Sequence, residues 1–349
     1  TRATIVFTLN LTKPMKNKRM LIVGNPKSIH TIRLSRFFEE NYQVNLIEEG
    51  IDFSFRNFFS ALRQTKTILS KLSPDILVLY QLNLTAFVAT LANRKKKIPT
   101  FAIGIGSDIL TMPKKGWAYK AMLKYILKHS QAYNAGSPYL LEQMQKYCPK
   151  RSEILLANLG INPIQAQKKE NIIYSNRLHS PLYRIDKVIK AFANFVSKPE
   201  FEDWQLVVAA TGKEKEFQQL SQSLGIEDKV KFVGWLSQKE NAEYYAKSKI
   251  YISLPKSDSF PISLIEAMSG ECLCIVSDLP AYKGIMKNNE NCLVVSDLEI
   301  EKADYIEKVL QLDTPSILKQ NKTFADSYAD IEKNKEKFIS TAERLVYSK

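Results

Sequence analysis

The sequence predicts an α/β protein built from two doubly wound parallel sheets. Short apolar runs alternate with longer amphipathic runs in the first half of the chain, and the alternation starts again near residue 171. Strands and helices at this spacing form parallel sheets, because each crossover helix returns the chain to the end of the sheet at which the previous strand began. The 349 residues also exceed one ordinary domain of about 150 residues, which favours two units.

The strand-like runs follow one another in a regular order. In the first half they are MLIVG, QVNLI, DILVLY, PTFAIG and QAYNAG, with HTIRLSRFFEE and PYLLEQMQKY among the helical runs between them. In the second half they are NIIYS, WQLVVAA, VKFVG, IYISL, LCIVS and CLVVS. The polar stretch INPIQAQKKEN, 161–171, breaks the alternation and is the predicted linker.

These runs predict the domain organisation. We expect an N-terminal domain over 1–165, a C-terminal domain over 166–325, and a C-terminal helix over 326–349 that packs back on the N-terminal domain. Ligands of doubly wound sheets bind outside the carboxyl ends of the strands. Two facing sheets would therefore place the site in a cleft between the domains.

Composition is that of a soluble globular protein, with 45% hydrophobic and 25% charged residues. No run of about 18 uncharged apolar residues occurs, so we expect no membrane-spanning helix. The first residues, 1–14, lack the cleavage site of a signal peptide, and Met15 is a candidate natural start. The four cysteines and three histidines are scattered, which predicts reduced thiols, a cytoplasmic location and no protein-bound metal.

The excess of basic over acidic residues lies entirely in the first half. Residues 1–166 contain 24 Lys and Arg against 9 Asp and Glu, whereas the remainder contains 26 against 27. This asymmetry predicts that the N-terminal domain meets an anionic bilayer, a phosphorylated acceptor or nucleic acid. Nucleic acid is disfavoured because the basic residues do not interleave with aromatic residues on a strand platform.

One helical run carries much of this charge. Lys120, Lys124 and Lys128 share an i, i+4 stripe, with apolar positions at Trp117, Met122, Tyr125 and Ile126. Together with the basic stretch NRKKKIP, 93–99, the run predicts an amphipathic segment on an anionic leaflet and a peripheral location on the inner face of the membrane. The alternative is a core helix whose lysines are merely solvated.

The stretch SDSFPISLIEAMSG, 257–270, places Glu266 in an otherwise apolar helix. Pro261 suits the first helical position, and Gly270 suits the position just past the end. A carboxylate among apolar residues needs a partner, which is either a neighbouring donor or the hydroxyls of a ligand. Because the helix follows the strand KIYISL, its first N–H groups, at Phe260, Ile262 and Ser263, are candidates to bind an anion.

The region 171–295 resembles the donor-binding domain of the family-4 retaining glycosyltransferases, also called glycosyltransferase group 1, which have the GT-B fold. Their Glu-x7-Glu motif, leading into Glu-Ala-Met-Ala-x-Gly, is matched here by Asp258, Glu266 and EAMSG. The stretches GIGSDIL, AGSPYLLEQM and ILLANLGIN match the first domain of that family more weakly. The resemblance implies two Rossmann-like doubly wound domains facing a central cleft, the first binding the acceptor and the second the donor.

The resemblance also implies roles for individual residues of the second domain. Glu266 would accept the two ribose hydroxyls of a nucleotide, and Asp258 would hold hydroxyls of the transferred sugar. Arg177 and Arg184 would bind the diphosphate. The start of the helix would meet the phosphates through Ser259, Phe260, Pro261 and Ile262.

In the first domain the resemblance points to the loop GIGSDIL. Asp108 would reach the reacting sugar or the acceptor, and Gly106 would permit close approach of the backbone. The catalytic set is then Asp108, Arg177 and Asp258. Ile105 stands where relatives often have His, and His30 is a second candidate on the acceptor side.

The activity that the resemblance implies is retaining transfer of a sugar from a nucleotide diphosphate sugar, with a UDP-sugar favoured over a GDP-sugar. The acceptor would be lipid-linked or a cell-surface polysaccharide. Neither a metal nor a cofactor is expected besides the nucleotide sugar as co-substrate. The alternative is a non-catalytic GT-B scaffold or membrane-binding protein, because Asp258 and Ile105 depart from the family pattern.

Overall fold

The computed structural model describes residues 17–47, 50–148, 152–259 and 262–347. Its fold divides the chain into two compact units. The first unit comprises Thr1–Leu159 together with Glu332–Lys349, and the second comprises Gly160–Ile331.

The first unit contains a six-stranded parallel sheet in the order β2-β1-β3-β4-β5-β6. Its strands are β1 Arg19–Val23, β2 Gln43–Leu46, β3 Ile76–Tyr80, β4 Thr100–Gly104, β5 Ala132–Ala135 and β6 Glu153–Leu156. Its helices are α1 Ile29–Phe38, α2 Phe58–Leu72, α3 Leu84–Asn93, α4 Ser107–Leu110, α5 Trp117–Lys128 and α6 Pro138–Gln145, with a 3-10 turn at Met112–Lys115.

The second unit repeats the architecture, with the strand order β12-β11-β10-β7-β8-β9. Its strands are β7 Glu170–Ser175, β8 Gln205–Ala209, β9 Val230–Gly234, β10 Ser248–Ser253, β11 Leu273–Ser277 and β12 Leu293–Val295. Its helices are α7 Ile185–Val196, α8 Glu214–Ser223, α9 Gln238–Lys247, α10 Ile262–Ser269, α11 Asp297–Lys302, α12 Ile306–Val309 and α13 Pro315–Tyr328. Shorter 3-10 turns lie at Pro199–Phe201, Pro280–Tyr282 and Leu310–Leu312.

The last helix, α14 Ile331–Tyr347, packs on the first unit. The ring of Phe338 lies 5.8 Å from that of Phe37 and 6.1 Å from that of Phe101. The start of this helix, at Ile331, crosses the backbone of Gly160. Gly160 has φ +73°, and a Cβ at this position would lie 2.5 Å from Cα of Ile331. Only glycine fits this crossing of the backbone.

The prediction of two parallel doubly wound sheets is confirmed, since all the strand pairs within the described residues are parallel. The central strands are buried on both faces, as in β3, where all five residues are buried. In each sheet the chain reverses its direction of travel once, between β1 and β3 and between β7 and β10. Such a switch point is where sheets of this kind bind ligands.

The lysine-bearing run forms α5, whose lysines are exposed as expected, whereas part of its expected apolar face is buried in the core. Lys120, Lys124 and Lys128 are exposed, but Met122 and Ile126 are buried in the core of the first unit. Trp117 is 83% exposed, so it is the apolar side chain that remains available on this helix. Within the part of the chain that the structure describes, no helix is long and apolar enough to span a bilayer.

Candidate functional site

The switch point of the second sheet brings two predicted residues together. Arg177 follows β7, and Asp258 follows the neighbouring strand β10. Nη2 of Arg177 lies 2.7 Å from Oδ2 of Asp258, and each side chain is 13% exposed. The two residues therefore form one partly buried ion pair at the carboxyl edge of the sheet.

The Arg177 guanidinium has further partners. Nη1 donates to Oγ of Ser263 at 2.9 Å, and the guanidinium carbon lies 4.4 Å from the centroid of the Tyr183 ring. Its Nε is buried and has no hydrogen-bond partner among the residues that the structure describes. Burial lowers the pKa of Arg177, but the charge of Asp258 and the smaller contributions of three nearby tyrosines together outweigh it, so the pKa is raised and the cation is retained.

The Asp258 carboxylate is also well occupied. Oδ2 accepts the hydroxyl of Tyr282 at 3.0 Å, and Oδ1 accepts the N–H of Ser259 at 2.8 Å. A carboxylate offers about four acceptor positions, and with Arg177 three of them are taken by the protein. The geometry leaves room for about one further hydrogen bond to a ligand hydroxyl.

Helix α10 presents one partly exposed face. Ile262, Ser263 and Glu266 are half-buried, whereas the other residues of the helix are buried. Residues three and four apart lie on the same side of a helix. Glu266 thus lies one turn along α10 from Ser263, on the same face.

Glu266 also lines a cavity of about 520 Å³ within the second unit. The remaining walls come from the segment after Gly160 and from α9, with Asn162, Gln167, Lys239 and Glu243 among the polar contributors. A cavity of this size with a few polar groups is typical of a small-molecule site. The carboxylate in the apolar helix therefore faces space that a ligand can occupy.

A group of tyrosines supports the residue before Arg177. Nδ2 of Asn176 donates to the Tyr245 hydroxyl at 2.8 Å, and the Tyr251 hydroxyl donates to Oδ1 of Asn176 at 2.9 Å. Burial raises the pKa of Tyr245 well above its usual value, and the charge of Glu266 adds to the rise. These hydroxyls stay protonated and hold the turn after β7 in place.

Arg184 lies at the start of α7, and its guanidinium, which was expected to bind a phosphate, is bonded to other groups of the protein. Its Nε donates to the carbonyl of Leu254 at 2.7 Å, and Nη2 donates to that of Pro255 at 3.0 Å. Nη1 pairs with Asp297 at 2.5 Å. Because these bonds occupy most of a buried guanidinium, Arg184 positions the loop after β10, and its contact with a donor phosphate stays a prediction.

Asp108 belongs to the first unit, where the structure turns its carboxylate inward. The side chain is 1% exposed and accepts the N–H groups of Leu82 at 2.8 Å, Gly106 at 2.8 Å and Ile105 at 3.2 Å. Burial raises the pKa of Asp108, and these backbone donors oppose the rise. Backbone N–H groups use most acceptor positions of Asp108 in this orientation, and its contact with the reacting sugar or the acceptor stays a prediction.

The remaining predicted residues are placed as follows. Gly106 has φ +128°, a conformation that favours glycine, and His30 is exposed in the first turn of α1. Ser259 is the last described residue before α10, which begins at Ile262. Phe260 and Pro261 lie outside the described residues.

Sequence reasoning missed Tyr282, Asn176 and the side chain of Ser263 as parts of this site, although it named the N–H of Ser263. Ser263 had a signal, since it stands four residues after Ser259 and three before Glu266 on the predicted helix. Tyr282 had none, because it reaches Asp258 from a 3-10 turn after β11. In the described part of the chain no group of three or more His, Cys, Asp or Glu is arranged to hold a metal ion.

Comparison with known families decides the membership of the chain. The model described as Glycosyl transferases group 1 matches residues 161–338, which is just over half of the sequence. The chain belongs to this family. A model described as Glycosyl transferase 4-like matches residues 19–135, so this group 1 glycosyltransferase has a family match in each unit.

Solved structures share the fold of this group 1 glycosyltransferase. Sucrose-phosphate synthase from Thermosynechococcus elongatus is 13% identical, covers 95% of this chain and 100% of its own, and has a TM-score of 0.77. HepE from Anabaena in complex with UDP-glucose is 13% identical, covers 93% and 98%, and has a TM-score of 0.74.

A third similar structure is the lipopolysaccharide outer core galactosyltransferase WaaB, which is 16% identical, covers 95% of this chain and 99% of its own, and has a TM-score of 0.66. No curated protein sequence matches the chain significantly. Identities this low establish the fold, and the residue roles rest on the geometry above.

Proposed function

We propose that the chain transfers a sugar, with retention of configuration, from a nucleotide diphosphate sugar to a lipid-linked or cell-surface polysaccharide acceptor. A UDP-sugar is favoured over a GDP-sugar. The observation that carries the donor side is the face of α10, where Ser263 holds Arg177 and Glu266 lines the cavity one turn away. The UDP-glucose bound by HepE supports the choice of nucleotide.

The spacing along α10 suits a nucleotide. The three residues from Ser263 to Glu266 rise about 4.5 Å along the helix, which is close to the separation of a ribose from its diphosphate. Glu266 would accept the two ribose hydroxyls with its two oxygens, while the nucleoside occupies the cavity. Arg177 would face the diphosphate, and its Nε–H, which has no partner among the described residues, would be available to donate to a phosphate oxygen.

The chemistry we propose is positioning and stabilisation of charge. As the bond between sugar and diphosphate breaks, negative charge builds on the leaving oxygen, and the raised pKa keeps Arg177 cationic beside it. The leaving phosphate takes the proton of the acceptor hydroxyl on the same face of the sugar, which retains configuration without a covalent nucleophile. With Arg177 supplying this charge, no metal is needed in the proposal.

Membrane association is proposed for the first unit. Arg94, Lys95, Lys96 and Lys97 are exposed after α3, and the lysine stripe of α5 is exposed with Trp117. About 1 kcal/mol per lysine near an anionic leaflet makes such a group sufficient for reversible binding. This location would bring the enzyme to a lipid-linked acceptor.

A panel of UDP- and GDP-sugars tests the proposal. The full chain is incubated with each donor, with and without EDTA, and released nucleotide is measured with and without glycan acceptors. We expect release from at least one UDP-sugar, unchanged by EDTA. Release that EDTA abolishes and Mg²⁺ restores would contradict metal independence, and binding without release from any donor would favour the non-catalytic scaffold.

A further inference from the structure

The carboxamide of Asn176 lies at the centre of a hydrogen-bond network in the second unit. Its Nδ2 donates to Oδ1 of Asn241 at 2.8 Å and to the Tyr245 hydroxyl at 2.8 Å. Its Oδ1 accepts the hydroxyl of Tyr251 at 2.9 Å. Because Asn241 and Tyr245 belong to α9 and Tyr251 belongs to β10, this one amide joins the turn after β7 to both elements.

The Tyr251 branch of this network reaches Arg177. Burial raises the pKa of Tyr251 to about 12, and the charge of Arg177 and a hydrogen bond with Ser263 act in the opposite direction. Oγ of Ser263 in turn accepts a hydrogen bond from Nη1 of Arg177 at 2.9 Å. Since Asn176 also precedes Arg177 in the chain, the network holds Arg177 twice, at its backbone and at its guanidinium.

The Asn241 branch reaches the wall of the larger cavity described above. Nδ2 of Asn241 donates to the carbonyls of Leu236 at 3.2 Å and Ser237 at 3.0 Å, where the loop after β9 ends and α9 begins. The next two residues of the helix, Gln238 and Lys239, line the cavity. Helix α9 therefore forms part of the cavity wall and also carries a branch of the network.

Buried tyrosines surround these bonds. Tyr174, Tyr245 and Tyr251 are each 0% exposed, and the Tyr174 hydroxyl donates to Oδ1 of Asn241 at 2.6 Å. A buried polar group that loses its partner costs free energy, so the bonds of such a network favour one common arrangement. A shift of Asn241 would therefore strain the bonds of Asn176.

We propose that Asn176 is a positioning residue for the transfer reaction, which couples the wall of the nucleoside cavity, through Asn241, to the guanidinium of Arg177. This inference rests on the transfer function proposed above. A nucleoside in the cavity holds α9 in place, and the network then keeps Arg177 in the orientation that meets the diphosphate. Loss of the carboxamide should therefore weaken the diphosphate contribution to binding and lower turnover, while the nucleoside alone binds as before.

The test compares Asn176→Ala with the wild type in the full chain. Calorimetry measures the binding of uridine and of UDP, and released nucleotide measures turnover of the best UDP-sugar. Asn176→Ala should bind UDP about fivefold more weakly and turn over about tenfold more slowly, with uridine affinity within about twofold of wild type. An equal loss of uridine and UDP affinity would show a general disturbance of the site and overturn the coupling.

A matched control removes a buried carboxamide elsewhere in the same unit. Asn321 is 4% exposed, and its Nδ2 donates to the carbonyl of Asn291 at 2.8 Å. Asn321→Ala should lower the Tm about as much as Asn176→Ala, because each loses buried hydrogen bonds, but its turnover and UDP affinity should stay at the wild-type level. Equal losses of turnover in the two variants would mean that Asn176 serves only the fold.

A double-mutant cycle tests whether Asn176 acts through Arg177. The double variant Asn176→Ala, Arg177→Ala should lose no more turnover than Arg177→Ala alone, because the network then has no guanidinium to orient. A purely structural role of Asn176 would instead add its own loss to that of Arg177→Ala. Additive losses would therefore overturn the proposal.

Asn241→Ala cuts the same network from α9 and decides the question if Asn176→Ala does not fold. Alanine favours the helix, so this variant should fold. Its turnover should fall by about threefold or more, and the double variant Asn176→Ala, Asn241→Ala should lose no more than Asn176→Ala alone. Wild-type turnover and UDP affinity in folded Asn241→Ala would overturn the coupling between the cavity wall and Arg177.

The outcomes separate this role from the donor function. Wild-type protein that binds neither uridine nor UDP would overturn the donor proposal and this inference with it. Wild-type protein that binds UDP, together with an Asn176→Ala variant of unchanged UDP affinity and turnover, would overturn the role of Asn176 alone and leave the donor proposal intact.

Discussion

The guanidinium of Arg177 and the carboxylate of Asp258 join the carboxyl ends of β7 and β10 through a 2.7 Å ion pair. The pair is held from both sides, by Ser263 on α10 and by Tyr282 after β11. Each residue therefore depends on the other for its orientation. A change in either one should alter the donor site as a unit.

Replacing Arg177 tests its role toward the diphosphate. Arg177→Ala should lower turnover by about tenfold or more, because the cation matters most as the leaving group departs. Binding of the bare nucleoside uridine should change less. Arg177→Lys keeps the charge but not the planar fork, so its activity should fall between those of wild type and Arg177→Ala.

A stability control accompanies this comparison. Arg177→Ala leaves the mostly buried carboxylate of Asp258 without its cation. Breaking a fully buried pair costs about 3 to 5 kcal/mol of folding free energy, and a smaller loss is expected here because both side chains are partly exposed. The double variant Arg177→Ala, Asp258→Asn should recover part of the Tm without recovering turnover. Turnover within about twofold of wild type in Arg177→Ala would rule out the phosphate role.

His179 predicts a dependence of stability on pH. Its ring is 2% exposed and packs against Phe217 and Phe232, and within the described residues neither ring nitrogen has a well-aligned hydrogen bond. Burial lowers the pKa of His179 below 6.5, with the backbone at Ala209 and the charge of Glu214 acting in the opposite direction. As the pH falls, His179 is therefore protonated in the unfolded chain before it is protonated in the folded chain. The stability that neutral His179 provides is complete above pH 6.5 and is lost as the pH falls toward the folded-state pKa.

His179→Phe should remove this dependence. Phenylalanine fills the same site without unpartnered nitrogens, so the free energy of unfolding at neutral pH should hold or rise by about 1 kcal/mol. The loss of Tm between about pH 7.5 and about pH 5.5 should be smaller in the variant than in wild type. Equal losses in the two proteins would show that His179 does not control acid sensitivity.

The lysine stripe of α5 predicts binding to anionic membranes. Substitution of Lys120, Lys124 and Lys128 by Glu should abolish sedimentation with vesicles rich in phosphatidylglycerol, and salt should weaken binding by the wild type. Transfer to a short soluble acceptor should remain, since these side chains are exposed.

The matched control for this experiment changes the same charge elsewhere. Lys215, Lys231 and Lys283 are exposed in the second unit, and their replacement by Glu should leave sedimentation intact. Wild-type protein that ignores anionic vesicles at low salt would show that the stripe is a solvated face. Equal losses in both triple variants would point to net charge alone.

Much of the fold could be predicted from the sequence, because parallel strands buried on both faces appear as uninterrupted apolar runs. β6 is an exception. It lies at the edge of its sheet, where Ile154 and Leu156 are 44% and 43% exposed. Its short apolar run therefore does not have the continuous burial that marks a central strand. Its position became clear only from its pairing with β5.

The site could be predicted where one local stretch carries the chemistry. Asp258 and Glu266 belong to one motif and lie where a strand end and a helix face place them. The inward orientation of Asp108 could not be predicted, because it depends on the N–H of Leu82 in another loop. The left-handed backbone of Gln81 also has no sequence signal, since glutamine is not a residue that favours this region.

Donor titration of Glu266→Gln tests the central claim most directly. Glu243→Gln is the matched control, because Glu243 lines the same cavity from α9. Calorimetry with the best UDP-sugar should show unchanged affinity for Glu243→Gln and a loss of about 2 to 3 kcal/mol for Glu266→Gln, with the Tm of both variants near that of wild type. A folded Glu266→Gln variant that binds the donor and turns it over like the wild type would contradict the assignment of this face of α10 to the nucleotide.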